Sequence, residues 1–368
     1  MTEVSDLFPQ DAGWIGPAHP FDLHEVYLDF RSPVILVSTT PRQRAELHIT
    51  ADSRYRLWVN GRFVARGPAR SWPWSQQVDA IDLSHHLVPG ENCIAVQVYQ
   101  PGYSHFSYVH RAAAGVLAAL YVDGQPVAHT SNAWKVRVNA VHAPDSLRVS
   151  IYGSGVGVMN LAQEDGWQMA PYDDSGWAQA RIVAPAGGAP WSHLQRRSLP
   201  YPSERVVPLT PFEVRESVSS LFGTTDAHDL VRRIWPRRSR ITLQQDSAGW
   251  IAVRLAKAEA VGWLCDLGRD YTCQGIVEVR GAGGEETLLV SYADKLHDGE
   301  LVLSDPATYC RVQLTDCLQL RAGDQRAETL QCAAAGTFSS CCWAPRDPTP
   351  QCASLQMSLS IRCQRHSR

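Results

Sequence analysis

The sequence predicts a mostly β protein: two antiparallel β-sandwiches of jelly-roll type, followed by an irregular C-terminal tail. Three observations carry this. The first is the segment R-Y-R-L-W-V-N-G-R-F-V from Arg54 to Val64, in which Asn60-Gly61 interrupts an alternating apolar pattern. Asn-Gly between alternating runs is the strongest short hairpin signal, because a type I′ turn needs positive φ at both central residues. The second is the recurrence of such turns at Pro89-Gly90 and Asp123-Gly124 between short alternating runs, the spacing of sandwiches and barrels. The third is composition. With 26 Gly, 23 Pro and 12 Trp in 368 residues, the chain has one short helical pattern, near Asp226–Ile234.

In chain order, residues 1–20 form an N-terminal segment. Residues 21–205 read as one sandwich, with strands expected at Val34–Val37, Ala45–Thr50, Arg54–Val59, Ile94–Tyr99, Gly115–Val122 and Trp134–Val138. Its edge is G-W-Q-M-A-P-Y-D-D-S-G-W, Gly166 to Trp177, and R-R-S-L-P-Y-P-S-E at Arg196–Glu204 makes an extended exit. Residues 206–240 read as a connector. Residues 241–331 read as a second, incomplete sandwich, in which Gly281–Gly284 turns strand Ile276–Val279 into Thr287–Tyr292. Residues 332–368 read as irregular. Ten cysteines sit unevenly, with Cys332, Cys341, Cys342, Cys352 and Cys363 crowded into that tail. Their spacing fails the paired pattern of a zinc site.

Charge excludes several function classes. The net charge is −3, and the only basic run is R-R-I-W-P-R-R-S-R at Arg232–Arg240, so nucleic acid is not expected as a partner. No window is apolar enough for a membrane span, and the N-terminus M-T-E-V-S-D-L-F-P lacks the charged and apolar regions of a signal peptide. A cytoplasmic location is the expectation.

Few residues invite a site. Trp72 and Trp74 lie in a loop and could stack on sugar C–H faces, as could Trp58, although core or interface packing is the favoured reading. Asp173 and Asp174, with Glu164 and Asp165 nearby, could ligate Ca²⁺, which wants six to eight oxygens. The favoured reading is a turn whose carboxylates cap backbone N–H groups while Trp177 packs. His105 and His110 are spaced to opposite strand faces, and His85-His86 reads as a surface pair. No nucleophile triad is legible, and G-A-G-G at Gly281–Gly284 joins two strands, the wrong context for a phosphate loop.

Four pieces together resemble the N-terminal half of the bacterial α-L-rhamnosidases, glycoside hydrolase family 78. They are Tyr55–Gly61 with Pro89–Val98, Y-D-D-S-G-W at Tyr172–Trp177, the R-S-L-P-Y-P-S-E exit, and D-L-G-R…G-I-V-E-V-R-G…S-Y-A-D-K-L from Asp266. The resemblance implies β-sandwiches that precede an (α/α)6 barrel. In the family that barrel holds the acid and base of an inverting hydrolysis of terminal α-L-rhamnosides. Nothing here matches the barrel, so no catalytic residue is assigned. Where many members have a Tyr-Asp-Ala-Arg stretch, this chain has V-G-V-M-N-L-A-Q-E-D, Val156 to Asp165, which puts a sugar or calcium role for that Asp in doubt. Read one base early from Gln331, the coding sequence permits V-R-G-G-R-Y-V-L-L-L-L-G, which resembles the strand closing the family's second sandwich. Residues 332–368 are therefore expected to be an out-of-frame tail. The expected function is the non-catalytic part of a rhamnosidase. The alternatives are a free-standing carbohydrate-binding sandwich and a purely structural module.

Overall fold

The computed structural model describes residues 4–17, 24–36, 43–72, 74–106, 108–111, 113–144, 146, 148, 153–201, 203–217, 245–254, 260–293, 296–297, 300–301, 304–305, 310–311, 314–329, 333–343 and 354–365. The chain divides into two compact units: Met1–Ala140 with Glu164–Pro200, and Val141–Gln163 with Tyr201–Arg368. The short helix expected at Asp226–Ile234 lies outside the described residues. Among the described residues, no helix is long and apolar enough to cross a membrane.

The first unit is a sandwich of two sheets. One runs Arg181–Pro185, Gly13–Gly16, Gly115–Val122, Ala45–Asp52, Gln76–Asp82, Leu194–Arg196, with Gln125–His129 beside Gly115–Val122. The other runs Ala178–Gln179, Lys135–Val138, Val26–Leu36, Gly90–Gln100, Arg54–Val59, Arg62–Gly67. The expected Asn-Gly hairpin is present: φ is 51° at Asn60 and 77° at Gly61, and Val59 pairs with Arg62. Asp123-Gly124 repeats it, at 49° and 79°. Along Arg54–Val59, Tyr55, Leu57 and Val59 turn inward and the residues between them do not, as period two requires. They join Leu28, Phe30, Leu47, Ile49, Val96, Val98, Val116 and Leu120 in one core, where each buried aliphatic side chain contributes about 1.5–3 kcal/mol. The N-terminal segment belongs to this unit: Leu7, Phe8 and Trp14 cover the outer face of the first sheet with Trp191 and Leu194.

The second unit is built on a ten-stranded sheet whose spine is Ala260–Ala282. The first half of that strand pairs with Pro211–Ser217 and Ala333–Trp343; the second half pairs with Gly323–Glu328 and Ser354–Arg365. Between the halves, exposed Asp266–Asp270 with Gly268 at φ 74° make a corner, the way a strand passes between layers. Most pairing is antiparallel, as expected. The exceptions are Val158–Asn160 beside Thr315–Gln319 here and Leu194–Arg196 beside Gln76–Asp82 in the first unit, both parallel.

Two expectations are corrected. The described residues of the tail expected to be irregular, 333–343 and 354–365, are strands: Ala333–Trp343 pairs with Ala260–Ala282 and Thr287–Ala293, and Ser354–Arg365 pairs along eight positions from Cys273 to Arg280. The reason is in the residues as they stand. Met357, Leu359, Ile361 and Cys363 alternate with Ser358, Ser360 and Arg362, and the apolar set is buried. Residues 206–240 also hold more than a connector, since Ser203–Pro208 and Pro211–Ser217 are strands.

Candidate functional site

One end of the first sandwich gathers loops rich in aromatic and polar side chains. Register fixes which loops these are. Asp52, the last residue of its strand, faces Gly115, the first of the next; Val26 faces Gln100, and Tyr55 faces Gly67. The connections after Gly67 and Gln100 therefore emerge together.

The floor of this end is polar. Asp52, 2% exposed, accepts the Tyr108 hydroxyl at 2.5 Å through Oδ1 and the Trp191 indole N–H at 2.8 Å through Oδ2. The Arg111 guanidinium lies 3.8 Å from the same carboxylate and donates to Gln76 Oε1 at 2.9 Å. Gln76 in turn donates to Thr50 Oγ1 at 2.9 Å and to the Ala51 carbonyl at 3.1 Å. Beside it, buried Glu25 accepts the Tyr99 hydroxyl at 2.5 Å and the Tyr103 hydroxyl, with the Arg54 guanidinium 4.6 Å from the Tyr99 ring. A buried carboxylate is tolerated only when donors surround it. Burial pushes the Asp52 carboxyl up, against its hydrogen bonds and Arg111; burial and then Asp52 push the Tyr108 hydroxyl up. Both carboxylates are engaged by their own loops. The lone pairs of both are thus taken up by hydroxyl and indole donors of this chain.

Trp72 and Trp74 lie on the loop that leads into Gln76. Their rings stack with centroids 5.2 Å apart and planes 3° from parallel, and they are 62% and 63% exposed. The Ser75 N–H donates to the Trp72 carbonyl at 2.9 Å, closing the turn that holds them, and the Gln195 amide donates to Ser75 Oγ. Trp58, by contrast, packs on the outer face of its sheet against Trp167, at 5.7 Å, and on Phe63.

Asp173 and Asp174 behave as turn residues. Asp173 Oδ1 accepts the Ser175 N–H at 3.0 Å, and Asp174 Oδ2 takes the Arg31 Nε at 2.7 Å. Asp165 is held by Arg137 at 2.6 and 3.0 Å and by the Tyr172 hydroxyl at 2.7 Å. Among the described residues, no group of three His, Cys, Asp or Glu side chains is placed to hold a metal ion. His105 and His110 fall in the loop after Gln100, each against the Tyr108 ring. Sequence reasoning missed Glu25, Asp52, Tyr103, Tyr108 and Arg111. The available signal was Y-S-H-F-S-Y-V-H-R, an aromatic-rich loop directly after a long apolar strand.

No family model matches the chain. An α-L-rhamnosidase of Streptomyces avermitilis is 26% identical over 152 residues, 41% of this chain and 12% of that protein. The chain resembles the α-L-rhamnosidases. The GH78 family rhamnosidase of Bacillus sp. GL1 superposes with a TM-score of 0.54 at 23% identity, covering 97% of this chain and 37% of that structure. The α-L-rhamnosidase of Dictyoglumus thermophilum gives 0.59 at 17%, covering 95% and 35%. The fold is thus that of a β-rich part of these rhamnosidases, and the chain spans little more than a third of either solved structure.

Proposed function

We propose that this chain is the non-catalytic β-sandwich part of a rhamnosidase-like hydrolase acting on terminal α-L-rhamnosides, inactive toward them by itself. One observation carries the reading. The chain matches rhamnosidase structures over nearly its whole length while accounting for about a third of theirs. Its own chemistry agrees. Glu25 and Asp52, the buried carboxylates at the loop end of the first unit, are bound up by Tyr99, Tyr103, Tyr108 and Trp191, whereas inverting hydrolysis needs an acid and a base free to act on a water. The role proposed for this part is to hold saccharide. Purified chain incubated with an aryl α-L-rhamnoside should release no aglycone, and turnover above a heat-treated control would overturn the reading.

The exposed Trp72–Trp74 pair also fits a free-standing carbohydrate-binding sandwich. Sequencing the gene around codon 331 and beyond separates the two. Helix-patterned sequence with paired acids, in this frame or the shifted one, supports the hydrolase part; its absence supports the stand-alone binder.

A further inference from the structure

We infer that the Trp72–Trp74 ridge binds internal residues of a polysaccharide chain and not a terminal sugar. This rests on the reading above that the chain serves a hydrolase of rhamnose-bearing glycans.

The first support is shape. A site for a chain end encloses its sugar, and enclosed ligands lose most of their surface to the protein. Trp72 and Trp74 do the opposite. Each ring has one face against its neighbour and remains more than 60% exposed, so the pair projects as a fin whose outer faces meet solvent. A projecting ring touches one face of one sugar, and such contact gains area only as successive residues of a polymer pass along it.

The second support is rigidity. The turn is closed by Ser75 to Trp72, and the next residue, Gln76, is buried and held by Thr50, Ala51 and Arg111. The backbone that carries the rings is thus held by bonds within the chain, and a pre-set backbone lowers the entropic cost of binding.

The third is what surrounds the rings. Ser71, Ser75, Gln195 and Arg70 flank them with hydroxyl, amide and guanidinium groups, where a protein-docking patch would continue as apolar surface. Flat apolar faces amid hydrogen-bonding groups match a pyranose, which offers C–H faces and a rim of hydroxyls. The loop from Gly67 to Gln77 that carries the rings holds Arg70 and no Asp or Glu.

The test titrates the full chain with rhamnogalacturonan, whose backbone carries rhamnose at internal positions, and with free L-rhamnose, by calorimetry. The polymer should bind at least about tenfold more tightly per site than the monosaccharide. The variant carrying Trp72→Ala and Trp74→Ala together should lose roughly tenfold, one aromatic contact's worth, with an unchanged melting temperature. The corresponding Phe double variant, which keeps flat faces, should retain binding. Polymer binding unchanged in the Ala variant, equal affinity for L-rhamnose, or no binding of the polymer by the native chain each overturns the inference. Turnover of the aryl rhamnoside by the native chain defeats the functional reading instead, whatever the polymer does.

Discussion

The first unit carries two aromatic clusters, and they have opposite fates. Over the outer face of the sheet containing Val26–Leu36 and Gly90–Gln100, Trp58, Trp167, Tyr172 and Trp177 pack with Cys93 and Ala95. The segment 164–177 roofs that face, pinned by Arg31 to the Trp167 and Met169 carbonyls and by Arg137 to Asp165. Arg31 lies 4.9 Å from the Tyr172 ring centroid and Arg137 4.2 Å from that of Trp177. At the loop end, Trp72 and Trp74 stack on each other and stay more than 60% exposed. Aromatic content is the same signal in both places. What separates the packed layer from the exposed pair is whether the chain supplies a roof and counter-charges for its own rings.

The sharpest way to break this contrast is to remove a roofed ring. Trp167→Ala should cost the first unit about 3–5 kcal/mol by emptying a buried Trp site, read as a shift in the urea midpoint. A cost near zero would mean the roof does not hold. Next comes Asp29, buried under the same roof with Arg137 at 3.2 Å, Asn139 at 2.7 Å and Gln97 at 3.1 Å. Burial outweighs these donors and raises its carboxyl from 3.8 to about 6. Between those values the folded chain keeps a proton that the unfolded chain has lost. Stability from this group is therefore greatest below pH 4 and falls by about 3 kcal/mol by pH 6, then levels off. Asp29→Asn should flatten that window in a series of urea melts across pH; an unchanged slope would place the titration elsewhere.

Smaller effects follow. Asp174→Asn breaks a partly buried ion pair with Arg31 and should cost about 1 kcal/mol, between the values for exposed and buried pairs. Millimolar Ca²⁺ should leave the melting temperature of the native chain unchanged, and a calcium-dependent rise lost in this variant would restore a metal role for Asp173 and Asp174. Smallest of all, Trp72→Ala should change stability by less than about 0.5 kcal/mol, as exposed positions do. A larger loss would show that the open cluster is structural like the roofed one.

Local features were legible in the sequence and distant ones were not. Asn60-Gly61 is read from two residues because the turn type depends on their own φ values. The strands Arg54–Val59 and Gly115–Val122 are read from their alternation, and the structure returns both with the expected bounds. Trp72 and Trp74 stood out because Pro73 set them in a loop. Asp52 did not, because its partners Tyr108 and Trp191 are 56 and 139 residues away. The strand Ser354–Arg365 was hidden for a different reason. Its cysteine-dense surroundings drew attention from the alternation of Met357, Leu359 and Ile361, and its partner Ala260–Ala282 lies far upstream.

The excursion of residues 141–163 out of the first unit has a consequence for synthesis on the ribosome. The Gly157 N–H reaches Asp316 Oδ1, 159 residues later, and Val158–Asn160 waits for Thr315–Gln319 to be made. At about 5–20 residues per second, that segment spends roughly ten to thirty seconds with an unsatisfied strand edge while the first unit is already translated. A cut at residue 200 would therefore not yield a clean domain, since it leaves an orphaned strand in the middle of the product. The chain thus interleaves the two units along its length, and both must be made before the first strand of the second finds its partner.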